Sequence, residues 1–238
     1  MTADATSSLS PYRLTRQHRW EACIHEAGHA IVAALGGYPC RYLAVAPEGT
    51  VDWLPTNNQG LTLTNLWGFC TTDCYCPPLR YLRWSEEECR YDTDAAHDAQ
   101  RRYLKSGSPL MRALYRRGLR AMVCHNLAGL LAEALERGET AETLDLESYR
   151  DYPESPDDLS QALAYCDLLP RRWYREFEHA QQTTSAVLKD YWPVAKTLAE
   201  ALEQAGHLSE EAVLPYLPPP LKNWPPPPPT RSPSPSEL

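Results

Sequence analysis

The stretch "EACIHEAGHAIVAAL", residues 21–35, places two histidines four positions apart within an apolar pattern. Apolar residues recur at the three- and four-residue intervals of an amphipathic helix, and the pattern extends back to Thr15. We therefore predict a helix from Thr15 to Leu35. The pair Gly36–Gly37 predicts its end, because glycine readily adopts the left-handed conformation of a helix cap.

The two histidines belong to the motif H-E-x-x-H. Residues four apart share a helix face, so His25 and His29 can direct their rings at one zinc ion about 2 Å from each. Glu26 is rotated by about 100° and can instead take a proton from a zinc-held water that attacks a carbonyl. The alternative is two ordinary histidines on an amphipathic helix. Gly28 favours a metal site, because a helix-interior glycine costs about 1 kcal/mol and permits close backbone approach.

A catalytic zinc ion usually has three protein ligands and one open position. By residue type the candidates for the third ligand are the carboxylates and four histidines: His97, His125, His179 and His207. His125 lies in the apolar stretch "AMVCHNLAGLL" (121–131), which favours a histidine at the edge of the core. Spacing alone does not choose among the others.

The composition excludes several classes of protein. A formal charge of −8 over 238 residues argues against a general nucleic-acid-binding protein, which would carry a basic face. No apolar run approaches the roughly 20 residues that span a bilayer, and the N-terminus does not read as a secretion signal. We expect a soluble, cytoplasmic protein with no membrane span.

The remaining pattern predicts a mainly α-helical fold with a small β-sheet after the first helix. Two short strands are expected at 41–47 and 60–65. Residues 66–107 follow no clear period and are predicted to form an irregular, cysteine-rich insertion. Helical patterns return in four later segments: 109–138, 155–169, 171–205 (interrupted at Pro193) and 208–217.

The chain is expected to form one domain, residues 12–216, between two unpacked ends. Residues 1–11 are small and polar and are predicted to be a flexible N-terminus. Residues 217–238 contain ten of the 22 prolines, which predicts an extended, disordered tail.

The insertion brings four cysteines close together in sequence: Cys70, Cys74, Cys76 and Cys89. They could hold a second, structural zinc ion. The spacing C-x3-C-x-C is not a standard zinc-knuckle spacing, however, and free thiols are the favoured interpretation.

The hexapeptide "HEAGHA" (25–30) matches at every position the motif of the FtsH-type, ATP-dependent zinc metalloproteases, and the chain resembles their peptidase domain. The two predicted strands are similar to the family's strand pair. "HNLAGLLAEALERG" (125–138) resembles a family helix, although Leu130 replaces the usual Arg and Ala134 the second Glu. The closing helices are similar as well, so the resemblance extends over about residues 15–216.

The resemblance implies the third ligand. In the family's S-N-D-L-x-x-A motif the aspartate binds zinc, and "SPDDLSQAL" (155–163) is similar to that motif. The ligand position falls on Asp158, which directly precedes the L-x-x-A pattern. Asp157 is the alternative.

The resemblance thus implies a zinc-dependent metalloendopeptidase that hydrolyses unfolded or flexible protein or peptide substrates. His25, His29 and Asp158 would bind zinc, Glu26 would be the general base, and the strand at 60–65 could pair with substrate. The chain lacks the family's G-x-x-x-x-G-K-[ST] nucleotide motif, so a separate ATPase partner or a homo-oligomer would have to supply any ATP-driven work. The alternatives are a non-catalytic binding or regulatory protein with a peptidase fold, and a site-specific regulator protease.

Overall fold

The computed structural model describes residues 13–56, 62–63, 66–72, 80–139 and 156–228. These residues form a mainly α-helical protein with a small antiparallel sheet. The α-helices are α1 (Arg16–Leu35), α2 (Asp94–Lys105), α3 (Pro109–Glu136), α4 (Asp158–Asp167), α5 (Trp173–Asp190), α6 (Trp192–Ala205) and α7 (Glu210–Val213). The strands are β1 (Cys40–Val45), β2 (Gly68–Thr72), β3 (Arg83–Ser85), β4 (Arg90–Asp92) and β5 (His207–Ser209).

Helix α1 has the ends that its sequence predicts. The Thr15 side chain caps its first turn by accepting a hydrogen bond from the backbone N–H of His18, at 3.2 Å. Its last turn ends at Gly36, and Gly37 has a φ of +86° in the left-handed region. The predicted helix is therefore confirmed.

Helix α1 lies at the centre of the core and packs against α3, α6 and the sheet. Its contact with α3 is close because Gly28 has no side chain. A Cβ atom at Gly28 would lie 2.7 Å from both the carbonyl oxygen of Ala128 and the Cβ atom of Ala132. The close backbone approach expected at this glycine is thus present, and it brings α3 against the face that carries the histidines.

The three-stranded sheet has the order β2-β1-β5, with both neighbours antiparallel to β1. The prediction at 41–47 is confirmed by β1, but the neighbour after it in the chain is β2 rather than the predicted strand at 60–65. That segment lies mostly outside the described residues, and Thr62 forms one isolated bridge with Thr56. A five-residue strand that contains glycine and cysteine gives too weak an alternation to be recognised.

The predicted irregular insertion is wrong for the described residues between 66 and 107. They contain β2, the two-stranded pair β3–β4 and helix α2. The side-chain amide of Gln100 in α2 donates to the carbonyl oxygen of Leu168 at 2.7 Å, which ties this segment to the end of α4. The elements are short and stabilised by such long-range contacts, so no periodic pattern marks them in the sequence.

The proline-rich segment also differs from its prediction, because residues 217–228 pack on the domain. The Trp224 side chain is buried. The carbonyl oxygens of Pro226 and Pro228 accept hydrogen bonds from His179 and Arg171, each at 2.9 Å. Prolines lack an N–H group but keep their carbonyl acceptors, which side chains of α5 and the preceding turn use here. Residues 229–238, like the predicted flexible N-terminus at 1–11, lie outside the described residues.

None of the helices in the described ranges is long and apolar enough to cross a membrane.

Candidate metal centre

His25 and His29 project from α1 towards one point, as their spacing predicts. Their Nε2 atoms are 2.9 Å apart, and the rings meet edge to face with centroids 4.7 Å apart. His29 is buried and His25 is half-buried. One turn of the helix thus supplies two nitrogen atoms that could bind the same metal ion.

The third group comes from the start of α4, where the two adjacent aspartates have different roles. Asp158 directs its Oδ2 atom to within 3.0 Å of the Nε2 atoms of both His25 and His29. Asp157 is the N-cap residue, and its side chain accepts a hydrogen bond from the backbone N–H of Ser160 at 2.7 Å. The structure therefore places Asp158 in the cluster and assigns Asp157 to helix capping.

Helix α3 and its backbone fix the orientation of both imidazole rings. The Nδ1 atom of His25 donates to Oε1 of Glu133 at 2.6 Å, and Nδ1 of His29 donates to the carbonyl oxygen of His125 at 2.7 Å. A neutral imidazole that donates from Nδ1 carries its lone pair on Nε2, and both Nε2 atoms are directed at the common point. Partners of this kind are the usual second layer around histidines that bind a metal, and they make the ring a better ligand.

The donor set fits a zinc ion. Two imidazole nitrogens and one carboxylate oxygen are a common ligand set for catalytic zinc. Zinc at about 2.0–2.1 Å from each donor would separate them by roughly 3.3 Å in a tetrahedral arrangement. The observed separations of 2.9–3.0 Å are therefore a few tenths of an ångström short, and a small outward movement of the side chains would accommodate the ion.

The electrostatics of the cluster favour positive charge at its centre. Burial lowers the pKa of His25, but hydrogen bonds to Asp158 and Glu133 outweigh it and hold this pKa well above its usual range. Burial raises the pKa of Asp158, whereas the charge of His29 and hydrogen bonds from both histidines bring it well below its usual range. Either a proton or a cation can stabilise the three facing donors.

Glu26 is buried beside the cluster and is not one of its three converging donors. Burial raises its pKa to about 7, although the charges of His25 and His29 act in the opposite direction. Gly68 at the start of β2 leaves room for this carboxylate, since a Cβ atom there would lie 2.8 Å from Oε1 of Glu26. A carboxylate with a pKa near neutrality is suited to accept and return a proton.

Sequence reasoning missed three residues of the site: Gly68, Gly129 and Glu133. A Cβ atom at Gly129 would lie only 2.3 Å from Nε2 of His25, so this glycine provides the space for the ring. A glycine inside an otherwise apolar helix was an available signal for close approach. Glu133 carried no comparable signal, because its partner lies 108 residues away in sequence.

The four other histidines that were candidates for the third ligand lie outside the cluster. His97 contacts Asp167 at 2.9 Å, His179 donates to a proline carbonyl, and the ring of His207 stacks on Tyr42. The ring of His125 lies beside His29, but its Nδ1 atom donates to the His29 carbonyl oxygen at 3.2 Å. Burial, followed by the charge of His29, lowers the pKa of His125 to about 3, which keeps the ring neutral.

The cysteines do not form a four-thiol site in the described part of the chain. The Cys70 thiol lies 3.6 Å from that of Cys40 on the neighbouring strand, and the Cys89 thiol donates to the carbonyl oxygen of Glu86. Cys74 and Cys76 lie outside the described residues. Within those residues, His25, His29 and Asp158 are the one group of three or more ligands close enough to share a metal ion.

No model of a known protein family matches the chain, and no curated protein matches it significantly.

Proposed function

We propose that the chain is a zinc-dependent metalloendopeptidase that hydrolyses peptide bonds in unfolded or flexible protein segments. The observation that carries this proposal is the convergence of two Nε2 atoms and one carboxylate oxygen, with both Nδ1 atoms held by acceptors and a buried glutamate alongside. A site that only bound metal would not need a fourth ionisable group buried beside its ligands.

In this proposal His25, His29 and Asp158 would hold the zinc ion, and Glu133 and the His125 carbonyl oxygen would orient the two rings. The chemistry that zinc supplies at such a site is polarisation of a carbonyl and activation of a water molecule. The ligands come from two different helices, α1 and α4. Helix α3 packs against both and so fixes the position of one relative to the other.

Glu26 would act as the general base. Its carboxylate lies one residue from the first ligand and shares its helix, so it can accept a proton at the site and return it to the departing amine. Burial keeps the carboxylate away from bulk water, and Gly68 leaves it unobstructed on the side of the sheet.

The edge of β2 is the favoured place for substrate backbone. Among the described residues β2 pairs with β1 on one side and with no strand on the other, and its first residue touches Glu26. An extended peptide can add to such an edge through main-chain hydrogen bonds. The segment 60–65, where the sequence suggested a strand that could pair with substrate, lies mostly outside the described residues.

The resemblance of "HEAGHA" and "SPDDLSQAL" to the FtsH-type peptidase domain supports the same function. By that resemblance the substrate is a protein or peptide, and an ATPase partner or a homo-oligomer would supply any ATP-driven work.

The experiment combines metal analysis with proteolysis. Purified protein should contain one zinc ion per chain and should cut an unfolded protein without ATP. Glu26→Gln should retain zinc and lose activity by about 10²- to 10⁴-fold, because the proton acceptor is lost. A zinc-loaded protein that cuts no peptide, or an equally active Glu26→Gln variant, would contradict the proposal.

A further inference from the structure

The N-terminal half of α3 presents an apolar stripe to solvent. Leu110 and Leu114 are 69% and 47% exposed, whereas Tyr115 and Leu119 on the opposite side of the helix are buried. Helical spacing places Arg117 on the same face as the two leucines, and it is exposed as well. Two large leucines in contact with water on one helix face indicate a surface that something else covers.

The chain around this stripe is strongly basic. Residues 99–132 contain seven Lys or Arg and no Asp or Glu, in a chain whose formal charge is −8. Three of these cations have partners in the structure, namely Arg101, Arg112 and Arg120. The other four are exposed and have no ion-pair partner among the residues that the structure describes: Arg102, Lys105, Arg116 and Arg117.

We propose that this surface docks onto an anionic phospholipid membrane. It is called here the basic corner and consists of Arg102, Lys105, Leu110, Leu114 and Arg117. The leucines would enter the boundary between headgroups and acyl chains, while the long cationic side chains reach the phosphates around them. Binding would be peripheral and governed by lipid charge.

The size and composition of the basic corner favour a lipid surface over two other anionic partners. A specific protein partner usually covers about 800 Å² on each side with a well-packed apolar centre, and two neighbouring leucines provide only a small part of that. Nucleic-acid phosphates would pair with the cations but offer no apolar contact for Leu110 and Leu114. A fluid bilayer accepts a small apolar insertion surrounded by mobile cations.

The test uses the full chain and sedimentation with vesicles of phosphatidylcholine, with or without about one-third phosphatidylglycerol. Wild type should bind the anionic vesicles, bind the neutral ones far less, and dissociate in high salt. Lys105→Gln/Arg117→Gln should weaken binding by roughly thirtyfold, since each positive charge near such a surface contributes about fivefold. Leu110→Gln/Leu114→Gln should also weaken it, and this loss should persist at every salt concentration.

Matched controls change similar residues elsewhere. Leu214 is 61% exposed, and Arg83 and Arg90 are exposed, so Leu214→Gln and Arg83→Gln/Arg90→Gln should bind like wild type. Circular dichroism should show that every variant is folded. Absence of wild-type binding to anionic vesicles, or equal weakening by the control variants, would overturn the proposal. So would concentration-dependent self-association that the Leu110→Gln/Leu114→Gln variant abolishes without any vesicle binding, since a second copy would then cover the surface.

Discussion

The two halves of α3 have opposite surroundings, although one continuous helix of 28 residues forms both. The C-terminal half is enclosed by α1 and α4, and there Gly129 makes space for His25 while Glu133 holds its ring. The N-terminal half leaves Leu110 and Leu114 in solvent, near cations that have no ion-pair partner among the described residues. The same helix therefore supports the candidate metal centre at one end and presents the basic corner at the other.

This contrast separates two kinds of residue. Substitutions in the C-terminal half should change metal binding, whereas similar substitutions in the N-terminal half should leave it unchanged.

The largest effect is expected at the glycines. In Gly129→Ala the new Cβ atom would lie 2.3 Å from Nε2 of His25, so the ring has to move. Overpacking of this kind typically costs about 1–3 kcal/mol, and the displaced ligand should lower zinc affinity as well. Urea unfolding and zinc titration measure the two losses.

Gly118 in the N-terminal half is the matched control. Its added Cβ atom would meet only the Tyr38 hydroxyl, at 3.2 Å. Gly118→Ala should therefore keep full zinc affinity and gain up to about 1 kcal/mol from helix propensity. Equal zinc loss in both variants would remove the distinction between the two halves.

The next effect concerns the carboxylate that orients His25. Glu133→Gln should weaken zinc binding by about 10- to 100-fold, which is the usual effect of losing a second-layer partner. Arg117→Gln on the same helix should leave the affinity unchanged. Competition with a chromogenic chelator measures both constants, and an unchanged affinity in Glu133→Gln would show that the 2.6 Å contact does not support the ligand.

A smaller effect is expected on the pH dependence of the metal-free protein. The pKa of Glu26 is raised to about 7 and that of His25 is also raised, so the folded chain holds protons that the unfolded chain releases. These protons stabilise the folded state at acidic pH, and the stabilisation is lost as the pH rises through 7. For each proton, the free energy of unfolding falls by up to about 1.4 kcal/mol for every unit of pH.

Urea unfolding of chelator-treated protein should therefore show a lower free energy of unfolding at pH 8 than at pH 6. Glu26→Gln should reduce this difference, because a glutamine does not titrate. If the difference in unfolding free energy between pH 6 and pH 8 were the same in Glu26→Gln as in wild type, groups other than Glu26 would cause it.

Prediction from the sequence succeeded best where all the informative residues lie within one secondary-structure element. Helix α1 could be predicted because its apolar period, both histidines, the base and the terminal glycines lie within about 25 residues. Spacing alone could not choose the third candidate ligand, since Asp158 is 129 residues from His29, and only the resemblance to a family motif indicated that Asp158 joins the cluster.

The rest depended on contacts between distant segments. Gly68 and Glu133 contact the site across the α1–β2 and α1–α3 interfaces, and a single sequence contains no measure of such contacts. The packed segment 217–228 was missed for a related reason. Proline-rich composition disfavours regular secondary structure, but it does not show whether the carbonyl groups find donors on the domain.

The most direct test of the metal centre compares the two neighbouring aspartates. Elemental analysis of purified Asp158→Ala and Asp157→Ala should give very different zinc contents. We predict that Asp158→Ala loses most of its zinc, whereas Asp157→Ala keeps one zinc ion per chain and loses only about 1 kcal/mol of stability with its helix cap. Equal zinc retention in the two variants would contradict the assignment of Asp158 and the centre proposed around it.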